Sequence, residues 1–234
     1  MFKLRTLTVF ILVALLTTPI FAKKVKTAEH KDGVLTDLRL NYTMEIPKNW
    51  KVKTFKEKNE APELLRTLLI QKNYMVNPDA DAFDGEYTIP EVQVYAWETD
   101  MTKEAFLDSL KSAVEVHNTQ IDLIDKLNLL LSGEYVAVQE VTLSGEDCTL
   151  AFFKRKWDRT LVGDPSDPRL RAYGGRIVQS IHDVHEIYIF KHNDWLYVIQ
   201  GIAEAEFYSR VEQEIKKIVT SLQFGDMPVA ESAE

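Results

Sequence analysis

One cysteine, Cys148, serves the whole chain, so no intrachain disulfide is available even in an oxidising compartment. The glycines never assemble into a phosphate-cradling fingerprint, and no Gly-x-Ser-x-Gly elbow occurs, which leaves out the familiar nucleotide-binding and α/β-hydrolase signatures. After residue 22 no apolar run is long enough to span a bilayer, which takes about 20 residues. Basic residues are in deficit, 28 against 36 acidic, for a net charge of −8. A field of that sign repels nucleic acid and anionic lipid, so nucleic-acid binding is not expected.

The first 22 residues stand apart. Lys3 and Arg5 form a positive start, Leu7 to Leu16 is apolar apart from Thr8, and Ile20-Phe21-Ala22 ends the segment. This is the layout of a secretory signal peptide cut after Ala22. Ile20 is not the small residue preferred at its position, and an uncleaved anchor is the alternative. Removing Lys3 and Arg5 leaves 26 basic against 36 acidic residues, a charge of −10. The expectation is an exported protein, periplasmic or extracellular, with no membrane span after cleavage. Residues 23–37 are expected as a flexible lead-in, 38–225 as a single domain and 226–234 as a polar tail.

Within the domain, Leu38, Leu40, Tyr42, Met44 and Ile46 alternate with polar residues, a half-buried strand that Pro47 ends. Trp50 to Phe55 is expected to fold back on it as a hairpin. Leu64, Leu65, Leu68 and Leu69 fit a helix or a buried strand equally well. Pro90 to Glu98 is a strand, with Val92, Val94 and Ala96 on one face and Tyr95 and Trp97 on the other. Thr102 is a candidate N-cap for a helix whose stripe is Phe106, Leu110, Ala113, Val114 and His117.

Strand patterns recur at Leu127 to Leu131, Tyr135 to Leu143, Cys148 to Trp157, His185 to Phe190 and Trp195 to Ile202. Asp158 to Arg176 has the composition of an irregular insert. Phe207, Val211, Ile215, Ile218, Val219 and Leu222 mark a closing amphipathic helix. Several strands are apolar on both faces, which implies a sheet covered on both sides. With hairpins in place of repeated βα units, the class is α+β with a largely antiparallel sheet.

Candidate chemistry is sparse. Cys148 lies in an apolar run, CTLAFF, where a small buried hydrophobe is expected and no activating base is at hand. In HDVHE an extended backbone sends His182 and His185 to opposite faces, and the helical His-x-x-x-His pair of a metalloprotease is missing. No metal is therefore assigned there. Asp79, Asp81, Asp84 and Glu91 come near to a calcium loop, but placing Gly85 at the sixth position puts alanines at the first and third. A solvated acidic loop is the simpler account. Arg159, Arg169, Arg171 and Arg176 gather in the insert near Gly174 and Gly175, as candidates for contacting a partner or anionic ligand. Trp50, Trp97, Trp157 and Trp195 are expected to pack in the core.

The stretches YTMEIPKNWKV, IPEVQVYAWE with TKEAFLDSL, and the closing DWLYVIQGIAEAEFYSRVEQEIKKIVTSLQF together resemble the PsbP-like superfamily. That group is named for the extrinsic photosystem II protein PsbP and includes a small Ran-binding nuclear-transport factor and many exported bacterial proteins. The likeness covers roughly residues 41 to 224 and rests on element order and the two ends. It implies a three-layer α/β/α sandwich around an antiparallel sheet, with residues 64–71 as a strand. It supplies no shared catalytic residues and no cofactor. The leading expectation is a non-enzymatic exported module that binds a protein partner. A small-ligand or calcium-binding protein is the second, and a hydrolase assembled from residues distant in sequence is the third.

Overall fold

The computed structural model describes residues 27–54, 64–71, 89–130, 132–164 and 166–225. The leader-like segment, the tail and the acidic residues Asp79, Asp81 and Asp84 lie outside them. Eleven strands and four helices are described. They run β1 Ala28–Lys31, β2 Val34–Asp37, β3 Tyr42–Glu45, β4 Trp50–Thr54, β5 Leu64–Gln71, β6 Glu91–Glu98, α1 Lys103–Val116, α2 Asp122–Lys126, β7 Gly133–Leu143, β8 Glu146–Val162, α3 Pro168–Arg171, β9 Arg176–His192, β10 Trp195–Glu204, α4 Ala205–Thr220 and β11 Gln223–Phe224. The strands make two antiparallel sheets, one ordered β1-β2-β3-β11 and the other β4-β5-β6-β10-β9-β8-β7. The class is α+β, as the patterns imply.

The alternation of side chains along β6, β9 and β10 divides the interior in two. On one face of the large sheet Tyr95, Ile187, Ile189, Leu196 and Val198 pack against Phe106, Leu110 and Val114 of α1 and Leu123 and Ile124 of α2. On the other, Val92, Val94, Tyr188, Phe190 and Ile199 meet Val211, Ile215 and Ile218 of α4 together with Leu35, Tyr42 and Met44 of the small sheet. A purely helical third layer was the expectation. Helix and small sheet share that layer instead.

Residues 28–37, expected as a flexible lead-in, form the hairpin β1–β2, because Leu35 and Asp37 are fully buried. Asp37 is held by the Arg39 guanidinium at 2.6 Å. The strand expected from Leu38 shortens to β3, since Leu38 to Asn41 turns, with Asn41 at a φ of 49°. The expected hairpin between this strand and the next is absent: β3 pairs with β2 and β11, whereas β4 pairs with β5 in the other sheet. Residues 64–71 are a strand. Leu127 to Leu130 is not. It continues from α2 as turns whose Leu127 and Leu129 fill the core, and Leu131 lies outside the described residues.

Candidate functional site

Only the ends of the Asp158 to Arg176 segment, 158–162 and Arg176, belong to a β-ribbon, and between them the tip is irregular apart from the short helix α3. β8 and β9 pair without interruption from Thr149↔Ile189 to Val162↔Arg176. On the outer side of β8 the pairing with β7 ends at Arg155, and on the outer side of β9 the pairing with β10 ends at Asp183. Beyond those residues the two strands continue as an arm. β-Branched Thr160, Val162, Ile177 and Val178 favour the extended backbone. The tip closes through the Gly163 N–H on the Gly175 carbonyl at 3.0 Å, and Gly174 and Gly175 take φ of 64° and 83°, where a side chain would be strained.

The four candidate arginines are spread along this arm. Arg159 belongs to β8 opposite Gln179, Arg169 and Arg171 to the tip helix α3, and Arg176 opens β9 opposite Val162. Arg171 and Arg176 are exposed. Around them Val162, Tyr173 and Val178 are more than half exposed, at 51%, 62% and 60%.

At the base of the arm the large sheet carries a cleft of about 500 Å³. It opens on the helix-covered face, beside the end of α2, and is lined by Ile89, Glu91, Gln93, Lys126, Leu127, Asn128, Arg155, Trp157, His185, Gln200 and Ile202. Two lining residues bring three donors to one oxygen of Asp183: Arg155 Nε at 3.1 Å, Arg155 Nη2 at 2.5 Å and Trp157 Nε1 at 2.8 Å, all on Asp183 Oδ2. Asp183 is fully buried, so the charge is removed from water only with its partner. Tyr95 donates to Gln93 Oε1 at 2.5 Å, and Gln93 donates to Glu91 Oε2 at 2.9 Å.

His182 and His185 do lie on opposite faces of β9, the first exposed and the second buried. Burial, reinforced by the Arg155 charge, pushes the His185 imidazole down to about 3, so it is neutral at any ordinary pH. Cys148 is buried, and its thiol is pushed up to about 12 by that burial. Among the described residues no group of three or more His, Cys, Asp or Glu is placed to hold a metal ion. Of the expected calcium ligands only Glu91 is described, and it faces the cleft.

The sequence reading did not find the cleft. Its lining comes from five separate elements, and Trp157 was assigned to the core when it stands half-buried at the rim. One signal was available. Gln93, Arg155, Asp183, His185 and Gln200 put polar groups in phase with the apolar positions of their strands, which is unusual on a buried face.

No protein-family model matches the chain. Over 105 residues, 44% of the chain, it is 29% identical to one of the subunits of the NADH-quinone oxidoreductase of Yersinia pestis, and the match spans 12% of that protein's length. Among solved structures it is similar to the cyanobacterial PsbP of Synechocystis, with 13% identity, a TM-score of 0.44, and coverage of 86% of this chain and 94% of that one. It is likewise similar to the Ran-binding protein Mog1p of Saccharomyces cerevisiae, with 14% identity, a TM-score of 0.44, and coverage of 85% and 97%.

Proposed function

We propose that the chain is an exported, non-enzymatic binding module that contacts a protein partner in the cell envelope through the β8–β9 arm. The arm carries this reading. Past Arg155 and Asp183 two strands leave the sheet, and no third strand flanks either one among the described residues. A two-stranded ribbon is only marginally stable alone in water. This one also presents Val162, Val178 and Tyr173 to solvent. Open ladder edges beside apolar side chains are what a partner covers by adding a strand or packing on the ribbon. Arg171 and Arg176 place positive charge at the tip of a chain whose net charge is −8, which suits an acidic partner surface.

Export rests on the leader pattern of residues 1–22. The non-enzymatic part is supported by Cys148 and His185, whose protonation states equip neither as nucleophile or base near neutral pH.

Photo-crosslinking residues installed at Tyr173 and Val178, with exposed Glu115 of α1 as control, test the reading in intact cells. The expected result is one protein captured from both arm positions and not from Glu115. Capture of nothing reproducible at the arm, or retention of the chain in the cytoplasm on fractionation, counts against it.

A further inference from the structure

Three buried polar atoms near the cleft have no partner among the described residues, Asp183 Oδ1, His185 Nε2 and Gln200 Oε1, and of these residues His185 and Gln200 line it. The Gln200 amide directs its Nε2 hydrogens to the Leu127 carbonyl at 2.9 Å and to His185 Nδ1 at 2.8 Å. Turned over, the amide would set its oxygen against the Leu127 oxygen, so Leu127 fixes its orientation. His185 Nδ1 is therefore an acceptor, and the ring proton resides on Nε2. The neutral state that burial imposes on this ring agrees with a single ring proton. His185 Nε2 and Gln200 Oε1 are both buried and both lack a partner among the described residues. Native proteins pair roughly 90% or more of such groups, so two exceptions on one cleft wall require an explanation.

We propose that the cleft binds a small neutral molecule with an amide edge, its carbonyl accepting from His185 Nε2 and its adjacent N–H donating to Gln200 Oε1. A carboxylate would bring a second acceptor against Gln200 Oε1, and an ammonium group a second donor against the His185 N–H. The charged lining residues do not call for a charged ligand either. Lys126 is paired with Asp122, Arg155 with Asp183, and Glu91 accepts from Gln93.

The register sets the shape of the edge. Ile202 faces His185 across the β9–β10 ladder and Gln200 lies two residues along β10, so the two side chains stand side by side on one face. Donor and acceptor then have to be met from the same side. A lactam, an imide or a primary carboxamide has that geometry, whereas a trans peptide bond points its two groups apart. Ile89, Leu127, Trp157 and Ile202 supply the apolar walls, and a volume of about 500 Å³ accommodates a small molecule. Both polar atoms are buried while their residues line the cleft, so binding requires the wall to open at them with the Gln200 bonds to Leu127 and His185 kept. The inference stands on the cleft alone and is independent of what the arm contacts.

The test titrates the isotope-labelled full chain with pyrrolidinone and follows the His185 Nε2–H resonance. A saturable shift of that resonance is expected, with N-methylpyrrolidinone binding about tenfold more weakly or worse, because it leaves the Gln200 oxygen unmet. Gln200→Met, shown to be folded by its melt, is expected to lose the shift. Should that variant not fold, the comparison of the two lactams on the unaltered chain decides. No shift at His185, or equal binding of pyrrolidinone and its N-methyl form, overturns the proposal.

Discussion

The indole Nε1 of Trp50 donates to Glu214 Oε2 at 2.7 Å and ties the first residue of β4 to the middle of α4. Asn49 Nδ2 meets the same oxygen at 2.9 Å, and the Trp50 backbone N–H closes a turn on the Pro47 carbonyl at 2.9 Å. Pro-x-x-Trp is thus the crossing between two sheets, with a fully buried Trp50 anchored to a helix more than 160 residues away in sequence. Trp50→Ala is expected to lower stability by about 3–5 kcal/mol. Glu214→Ala, which leaves a buried indole N–H with one fewer acceptor, is expected to cost about 1–3 kcal/mol. Urea melts of the singles and the double should show coupling of at least about 0.5 kcal/mol. Simple additivity would mean the hydrogen bond is energetically idle.

Periodicity revealed the elements but not their partners. Val92, Val94 and Ala96 against Tyr95 and Trp97 was a correct division of β6, and Val211, Ile215, Ile218 and Val219 form the buried stripe of α4, because both patterns are local consequences of burial. Leu222 packs in the core beyond the end of that helix, and Tyr208 packs on the core beside the stripe. Sheet membership is not local. Nothing in residues 42–54 tells that β3 and β4 belong to different sheets, since the switch is decided by where Trp50 finds its pocket. The arm was hidden by composition. Glycines, prolines and aspartates of its tip, 163–175, masked the alternating strands on either side. The cleft was hidden for a third reason, as a concave surface made by five elements has no signature in any one of them.

The close seat of α4 on β10 depends on a missing methyl group. A Cβ built on Gly201 would come within 2.5 Å of Ile215 Cγ2. Gly201→Ala is expected to destabilise by about 1–3 kcal/mol through overpacking. Ile215→Ala removes the obstructing atom but leaves its own cavity. The double variant is therefore expected to be less destabilised than the two single costs summed, and thermal melts of all three resolve the difference. A double variant at the full sum would place the constraint in the backbone rather than at this contact.

Thr102 was legible as a cap and behaves as one. Its Oγ1 accepts from the Ala105 N–H at 3.2 Å at the start of α1. Thr102→Ala is expected to cost about 1 kcal/mol and Thr102→Ser much less, because the hydroxyl and not the methyl does the capping. Equal losses for the two, read as urea midpoints at constant slope, would show that the methyl contact matters more.

Buried titratable groups should give the chain a stability that falls on both sides of neutrality. His185 is held near 3 in the folded state against 6.5 when exposed, first by burial and then by the Arg155 charge. Between those values the unfolded chain binds a proton that the folded chain refuses. Stability present above pH 6.5 is therefore lost progressively as pH falls toward 3, by an amount on the order of a few kcal/mol. Glu186 works in the opposite sense, because burial raises its carboxyl above the ordinary 4.5, and it favours the fold as pH falls. Tyr42, Tyr188 and Tyr208 are raised above 10 by burial, so the unfolded chain ionises first and stability falls again beyond pH 10. His185→Gln isolates the acid limb. Its urea midpoint should change less between pH 7 and pH 5 than that of the unaltered chain, the window in which an exposed imidazole takes up its proton. An equal change in both would show that His185 does not set the acid limb.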